Sequence, residues 1–185
     1  MLIFAIVAVL VAAAVVTFVL LYNRLIKLRQ RVKAAYAQID VQLKRRYDLI
    51  PNLVESVKGY AAHEADTLQA VTNARAAAVG ASGVADVAAA NGVLTNALGR
   101  LFAVSEAYPT LRANENFLQL QHELTATEDR ISFSRQHYND SVMEYNTAIE
   151  TFPSSLAAGP AHATPEVFFE LPATDVARDV PNVRF

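Results

Sequence analysis

The sequence contains no cysteine, so disulfides and thiolate chemistry are excluded and the redox compartment is left open. Between Leu2 and Tyr22 it also lacks any charged residue, glycine or proline over 21 positions, and only Thr17 and Tyr22 carry a polar side-chain group there. At about 1.5 Å rise per residue this run covers about 31 Å as a helix, close to the hydrocarbon thickness of a bilayer. No Lys or Arg precedes it and no small-x-small cleavage site follows. It therefore reads as an uncleaved transmembrane anchor and not as a signal peptide.

Catalytic signatures are missing as well. His63-Glu64 and His122-Glu123 begin like a zinc-protease helix, but the required second His falls on Thr67 and Ala126. None of the 4 His has a Glu three residues earlier, which excludes the di-iron bundle motif. There is no phosphate-binding Gly-rich loop and no Gly-x-Ser-x-Gly elbow. The sequence thus assigns no catalytic residue, no metal ligand and no cofactor, and the expectation is a protein that is not an enzyme.

What charge there is lies unevenly. Of 16 basic and 18 acidic residues, eight basic and one acidic (Asp40) fall in residues 24–46, leaving eight against seventeen elsewhere. An acidic body of this kind argues against nucleic acid as a partner. Arg24, Lys27, Arg29, Arg31 and Lys33 directly follow the apolar run. The positive-inside rule places the part after the run on the cytoplasmic side, with a short N-terminus outside. The same five residues are candidates for contact with anionic head groups, at about 1 kcal/mol per charge near the surface.

Periodicity predicts an all-α protein: an N-terminal transmembrane helix continuing into an elongated antiparallel up-and-down four-helix bundle, with an irregular C-terminal tail. The first segment carries Leu25, Leu28, Val32, Tyr36, Ile39, Leu43, Tyr47, Ile50, Val54, Val57 and Tyr60 at intervals of three and four. Pro51 lies inside it, removing one hydrogen bond and crowding the Tyr47 carbonyl, so a bend and not a stop is expected. A second segment runs from about His63 to Val79, with Leu68, Val71, Arg75 and Ala78 on one face, and ends at Gly80-Ala81-Ser82-Gly83. The third, Val84 to Tyr108, places Val87, Asn91, Leu94, Leu98, Leu101, Ser105 and Tyr108 on one face; Gly92 and Gly99 on another would let a helix approach closely. The fourth, Asn114 to Thr151, aligns Phe117, Leu120, Leu124, Thr127, Ile131, Ser134, Tyr138, Val142, Tyr145, Ile149 and Phe152 with coiled-coil-like spacing. Pro153, Pro160, Pro165, Pro172 and Pro181 then exclude a long helix, while Phe168, Phe169 and Phe185 are apolar enough to dock. Three parts follow: an anchor over residues 1–23, a bundle over 24–152 and a tail over 153–185.

Polar residues beside the stripes form a second candidate site. Asp40, Arg45, Arg46, Asp48 and Glu55 crowd the first helix, and Glu123, Glu128, Arg130 and Arg135 crowd the last. They read either as an inter-helix polar network that sets register or as a groove for a partner.

The run Ala37-Gln-Ile-Asp-Val-Gln-Leu-Lys-Arg-Arg-Tyr-Asp-Leu-Ile-Pro-Asn-Leu-Val54, with Lys58-Gly-Tyr-Ala61, Leu101-Phe-Ala-Val104, Glu106-Ala-Tyr-Pro109, Leu120-Gln-x-Glu-Leu124, Arg135-x-x-Tyr-Asn139 and Tyr145-Asn146, resembles the LemA family over residues 22–153. The resemblance implies a single-pass bacterial cell-membrane protein with a helical bundle. It implies no reaction, and a related branch associated with magnetosome membranes favours a membrane-organising role. The functional expectation is a membrane-anchored helical scaffold that forms a homo-oligomer, remodels membrane, or does both. The alternative is an adaptor or sensor that binds another membrane or cytoplasmic protein, or a small ligand, in the groove between the first and last bundle helices.

Overall fold

The computed structural model describes residues 1–61 and 63–170, and among these the chain is helical with no strand. Pro172, Pro181 and Phe185 lie outside the described residues. Helix α1 spans Leu2–Lys58, α2 Ala65–Gly80, α3 Val84–Ser105, α4 Pro109–Arg112 and α5 Glu115–Glu150, followed by a 3-10 turn at Ser154–Ala157. The all-α class expected from periodicity is therefore observed. Helix α1 passes without interruption from the apolar run through Asn23 and on through Pro51. It ends at Gly59-Tyr60, where the missing side chain at Gly59 makes helix continuation costly.

The chain divides into two compact units. One comprises Met1–Ile39 with Ser134–Val167; the other, among the described residues, comprises Asp40–Phe133 with 168–170. In the first unit, Arg29 meets Tyr145, Arg31 meets Glu144 and the Tyr36 ring meets Tyr138 edge-on. Rising numbers on α1 pair with falling numbers on α5, so the two helices are antiparallel. Leu25, Leu28, Val32 and Ala35 of α1 and Tyr138, Val142, Tyr145, Ala148 and Ile149 of α5 are buried. After Glu150 the chain turns back. Ser154, Ala157 and Ala161 are buried, and the backbone from His162 to Val167 returns as a strap along the unit.

That strap is tied by side chains, because an extended chain without a strand partner must satisfy its peptide groups otherwise. Asn146 donates from Nδ2 to the Glu166 carbonyl and accepts the Glu166 N–H, each at 2.9 Å. Tyr138 Oη donates to the Val167 carbonyl at 2.8 Å, and Arg29 Nη2 to the His162 carbonyl at 2.6 Å. Burial pushes the Tyr138 phenol up to about 12, helped by the nearby Glu166 carboxylate and by Tyr36.

In the second unit four helical segments alternate in direction. Arg75 of α2 reaches the Tyr47 carbonyl of α1, while Lys58 and Ala65 line one cleft at the other end, so α1 and α2 are antiparallel. Helix α3 returns after the Ala81–Gly83 loop, where Gly83 takes a φ of 85° that an L side chain rarely adopts. It runs with α1, as the contacts Arg46–Thr95 and Tyr108–Glu64 show. Helix α5 runs against α1 through Arg46–Glu128. Ile50, Leu53, Val57, Leu68, Val71, Leu94, Leu98, Leu101, Leu111, Phe117 and Leu124 form the core. Gly99 does not provide the close helix approach expected of it: a Cβ there would meet nothing within 4 Å, because it lies on the solvent face.

Candidate functional site

Three surfaces draw attention. The first is the start of α1, where every residue from Met1 to Leu20 is exposed. Apolar surface of this extent is far beyond what a folded chain leaves in water without a purpose. Among the described residues only α1 and α3 are long and apolar enough to cross a membrane, and the most apolar window of α1 is 0% buried against 33% for α3. Val87, Ala88, Leu94, Leu98 and Leu101 of α3 are buried in the second unit, so α3 is a core helix. After the apolar run, Arg24, Lys27, Arg31 and Lys33 are exposed, with Arg31 also 3.5 Å from Glu144. Arg29 differs from them. Half-buried, it is held by the Tyr145 hydroxyl at 3.3 Å and by the His162 carbonyl, with its guanidinium 5.9 Å from the Tyr145 ring centre.

The second surface is a polar cluster in the unit that begins at Asp40. Arg46 is 4% exposed; its Nη2 lies 2.9 Å from Thr95 Oγ1 and 3.0 Å from Glu128 Oε2. Burial pushes the guanidinium's pKa below its ordinary value, while the Glu128 carboxylate acts in the opposite direction. Beside it, Asn91 Nδ2 donates to Tyr47 Oη at 2.7 Å and to the Val87 carbonyl at 2.8 Å. Pro51 has no N–H, so the Tyr47 carbonyl loses its helical donor. Arg75 Nε supplies the replacement at 2.7 Å. Charge-assisted hydrogen bonds thus tie α1 to α2 and α3 in this unit, and an ion pair ties it to α5.

Of the other residues that the sequence placed in this network, Asp40, Arg45, Asp48 and Arg130 are exposed, and Arg135 is half-buried. Glu55 pairs with Lys58 of its own helix at 4.0 Å. Glu123 accepts from Gln119 Nε2 at 3.1 Å. Thr95, Asn91 and Arg75 are the partners in this unit that residue type alone does not assign. For Arg75 a signal existed, since it falls on the inward face of α2 while Pro51 orphans a carbonyl on α1.

The third surface is an open groove of about 560 Å³ lined by Leu49, Asn52, Glu55, Ser56, Asn116, Gln119, Leu120 and Glu123. Its walls are α1 and α5 of the same unit, and its two charges are both negative.

The LemA family model matches residues 35–185. The chain belongs to the LemA family. The match begins inside α1, so the apolar start of that helix lies before it. At the level of individual proteins, the chain is 28% identical to magnetosome protein MamQ of Magnetospirillum gryphiswaldense, over 92% of this chain and 73% of that protein. It is equally 28% identical to magnetosome protein MamQ 2 of Paramagnetospirillum magneticum, over 94% of this chain and 74% of the relative. Protein LemA of Metamycoplasma hominis is 26% identical over 74% of this chain and 63% of its own length. None of these LemA-family names is that of an enzyme.

Proposed function

We propose that this LemA-family chain is a single-pass, membrane-anchored helical scaffold that self-associates and organises the membrane carrying it. One observation bears most of the weight: the exposed apolar start of α1 continues without a turn residue into packed helix. Residues 1–23 then act as anchor, 24–152 as the helical body and 153–185 as a tail. A helix without a break transmits orientation, so the packed part of the first unit stands off the bilayer at a fixed angle. The basic residues Arg24, Lys27, Arg31 and Lys33 set the body on the cytoplasmic side and favour anionic lipid. That two relatives are named as magnetosome proteins supports a role on a membrane-bounded structure. Chemical crosslinking of the full-length protein in its own membrane tests the reading. A ladder of higher species that collapses on deletion of residues 1–23 is expected, and a monomer at every expression level would sink it.

A second reading is favoured by the groove of Asn52, Glu55, Ser56, Asn116, Gln119 and Glu123. There the protein is an adaptor whose acidic groove takes a basic segment of another membrane or cytoplasmic protein, or a small cation. Replacing Glu55 and Glu123 by Gln should then abolish capture of that partner while leaving the crosslinking ladder unchanged.

A further inference from the structure

The turn between α5 and the strap carries large apolar side chains in the open. Phe152 is 80% exposed and Leu156 61% exposed. From Thr151 to Pro165 the chain holds no Asp, Glu, Lys or Arg. Neither burial in the fold nor solubility explains such a turn, so its place in the unit decides what it does.

That place follows from the register of α1 against α5 in the first unit. Tyr36 meets Tyr138, Arg31 meets Glu144 and Arg29 meets Tyr145. Each step forward on one helix is a step back on the other. Continued over the last residues of α5, the same register sets Ile149 against Leu25, both buried, and Thr151 against Asn23. The strap shows that the chain reverses just beyond. Its His162 is back at Arg29 and its Glu166 at Asn146. The apex, Thr151 to Ala158, therefore lies level with Tyr22 and Asn23, where α1 leaves its fully exposed apolar run.

We propose that Phe152 and Leu156 seat in the interfacial layer of the bilayer that α1 enters, giving this unit a second membrane contact beside the helix. The inference rests on the anchoring role of residues 1–23. An aromatic and an aliphatic side chain on an uncharged turn suit that layer, where amphipathic and aromatic groups gather. Two contacts fix the tilt and rotation of a helix that one contact leaves free. Arg24 and Lys27, exposed at the same level, add attraction to anionic head groups.

The chain has no tryptophan, so one introduced indole reports alone. Three full-length single-tryptophan proteins, Phe18→Trp, Phe152→Trp and Met143→Trp, would be reconstituted in vesicles of phosphatidylcholine and phosphatidylglycerol with lipid brominated near the head of the acyl chain. Met143 is exposed and nine residues up α5 from Phe152, about 13 Å further along the helix. The expected result is about a twofold or greater loss of emission, with a blue shift, at positions 18 and 152 and none at 143, as suits an interfacial aromatic. Quenching at 18 without quenching at 152 overturns the proposal and leaves the anchor standing. An unquenched indole at 18 overturns both. In each protein, unchanged helical circular dichroism separates these outcomes from misfolding.

Discussion

Replacing Arg75 by Met should destabilise the protein through a carbonyl on another helix. Pro51 lacks an N–H, and the Tyr47 carbonyl instead accepts Arg75 Nε at 2.7 Å in a half-buried setting. Removing that donor leaves a carbonyl without partner, at about 1–3 kcal/mol for a lost charge-assisted bond. The methionine keeps the apolar stem, so lost packing adds little. In a Pro51→Ala background the helix can supply its own N–H four residues on, and the cost of Arg75→Met should fall below about 0.5 kcal/mol, within the usual error of additivity. The four proteins would be unfolded by urea in detergent and followed by circular dichroism. A coupling of about 1 kcal/mol or more is expected. Equal losses in both backgrounds would instead mean that Arg75 does not replace the Pro51 N–H and is a surface cation with an incidental contact.

Further outcomes follow from the same packing. Arg46→Met should cost about 1–3 kcal/mol, because Glu128 loses its ion-pair partner and Thr95 its donor; a double Arg46→Met, Glu128→Met protein should recover most of it, since matched apolar replacement of an ion pair is often neutral. The Tyr138 phenol, raised from 10.0 to about 12, keeps its proton in the folded chain over a range where the unfolded chain has released it. That contribution is whole below pH 10 and is lost as pH rises through about 12, so urea midpoints should fall over this window, and fall less in Tyr138→Phe. Asn146→Ala removes both bonds to the Glu166 backbone. Hydrogen exchange should then accelerate over residues 162–167 while the amides within α5 keep their protection.

How much of this was legible beforehand depends on the side chain concerned. Helix α5 could be read almost whole: Phe117, Leu124, Thr127, Ile131, Ser134, Tyr138, Val142, Tyr145 and Ile149 are all buried as the spacing predicts. Phe152 is not, because the helix stops at Glu150 and the stripe does not outlast it. On α1 and the turn after it the spacing holds, but the buried position lies one residue away from the one the pattern picks. Ala35, Arg46, Leu53 and Ala61 are buried where Tyr36, Tyr47, Val54 and Tyr60 were expected. A small residue lets helices approach, and a tyrosine one position away can lie along the seam with its hydroxyl bonded, as Tyr47 does with Asn91. Hydropathy ranks an arginine last for such a place. Only its partners, Thr95 and Glu128 from two other helices, make Arg46 a core residue. A docked tail is one reading that its phenylalanines allow, but the ties of the strap are not legible: proline spacing shows that no long helix forms after Phe152, and not which side chains hold the backbone that remains.

If the apolar start of α1 and the packed helices behind it form one self-associating membrane scaffold, the full-length protein must hold several subunits per particle. Stepwise photobleaching of a fluorescent fusion in intact native membranes counts them. Multiple bleaching steps per particle, reduced to single steps when residues 1–23 are removed, are the expected result. Single steps for the intact protein across all expression levels would contradict it.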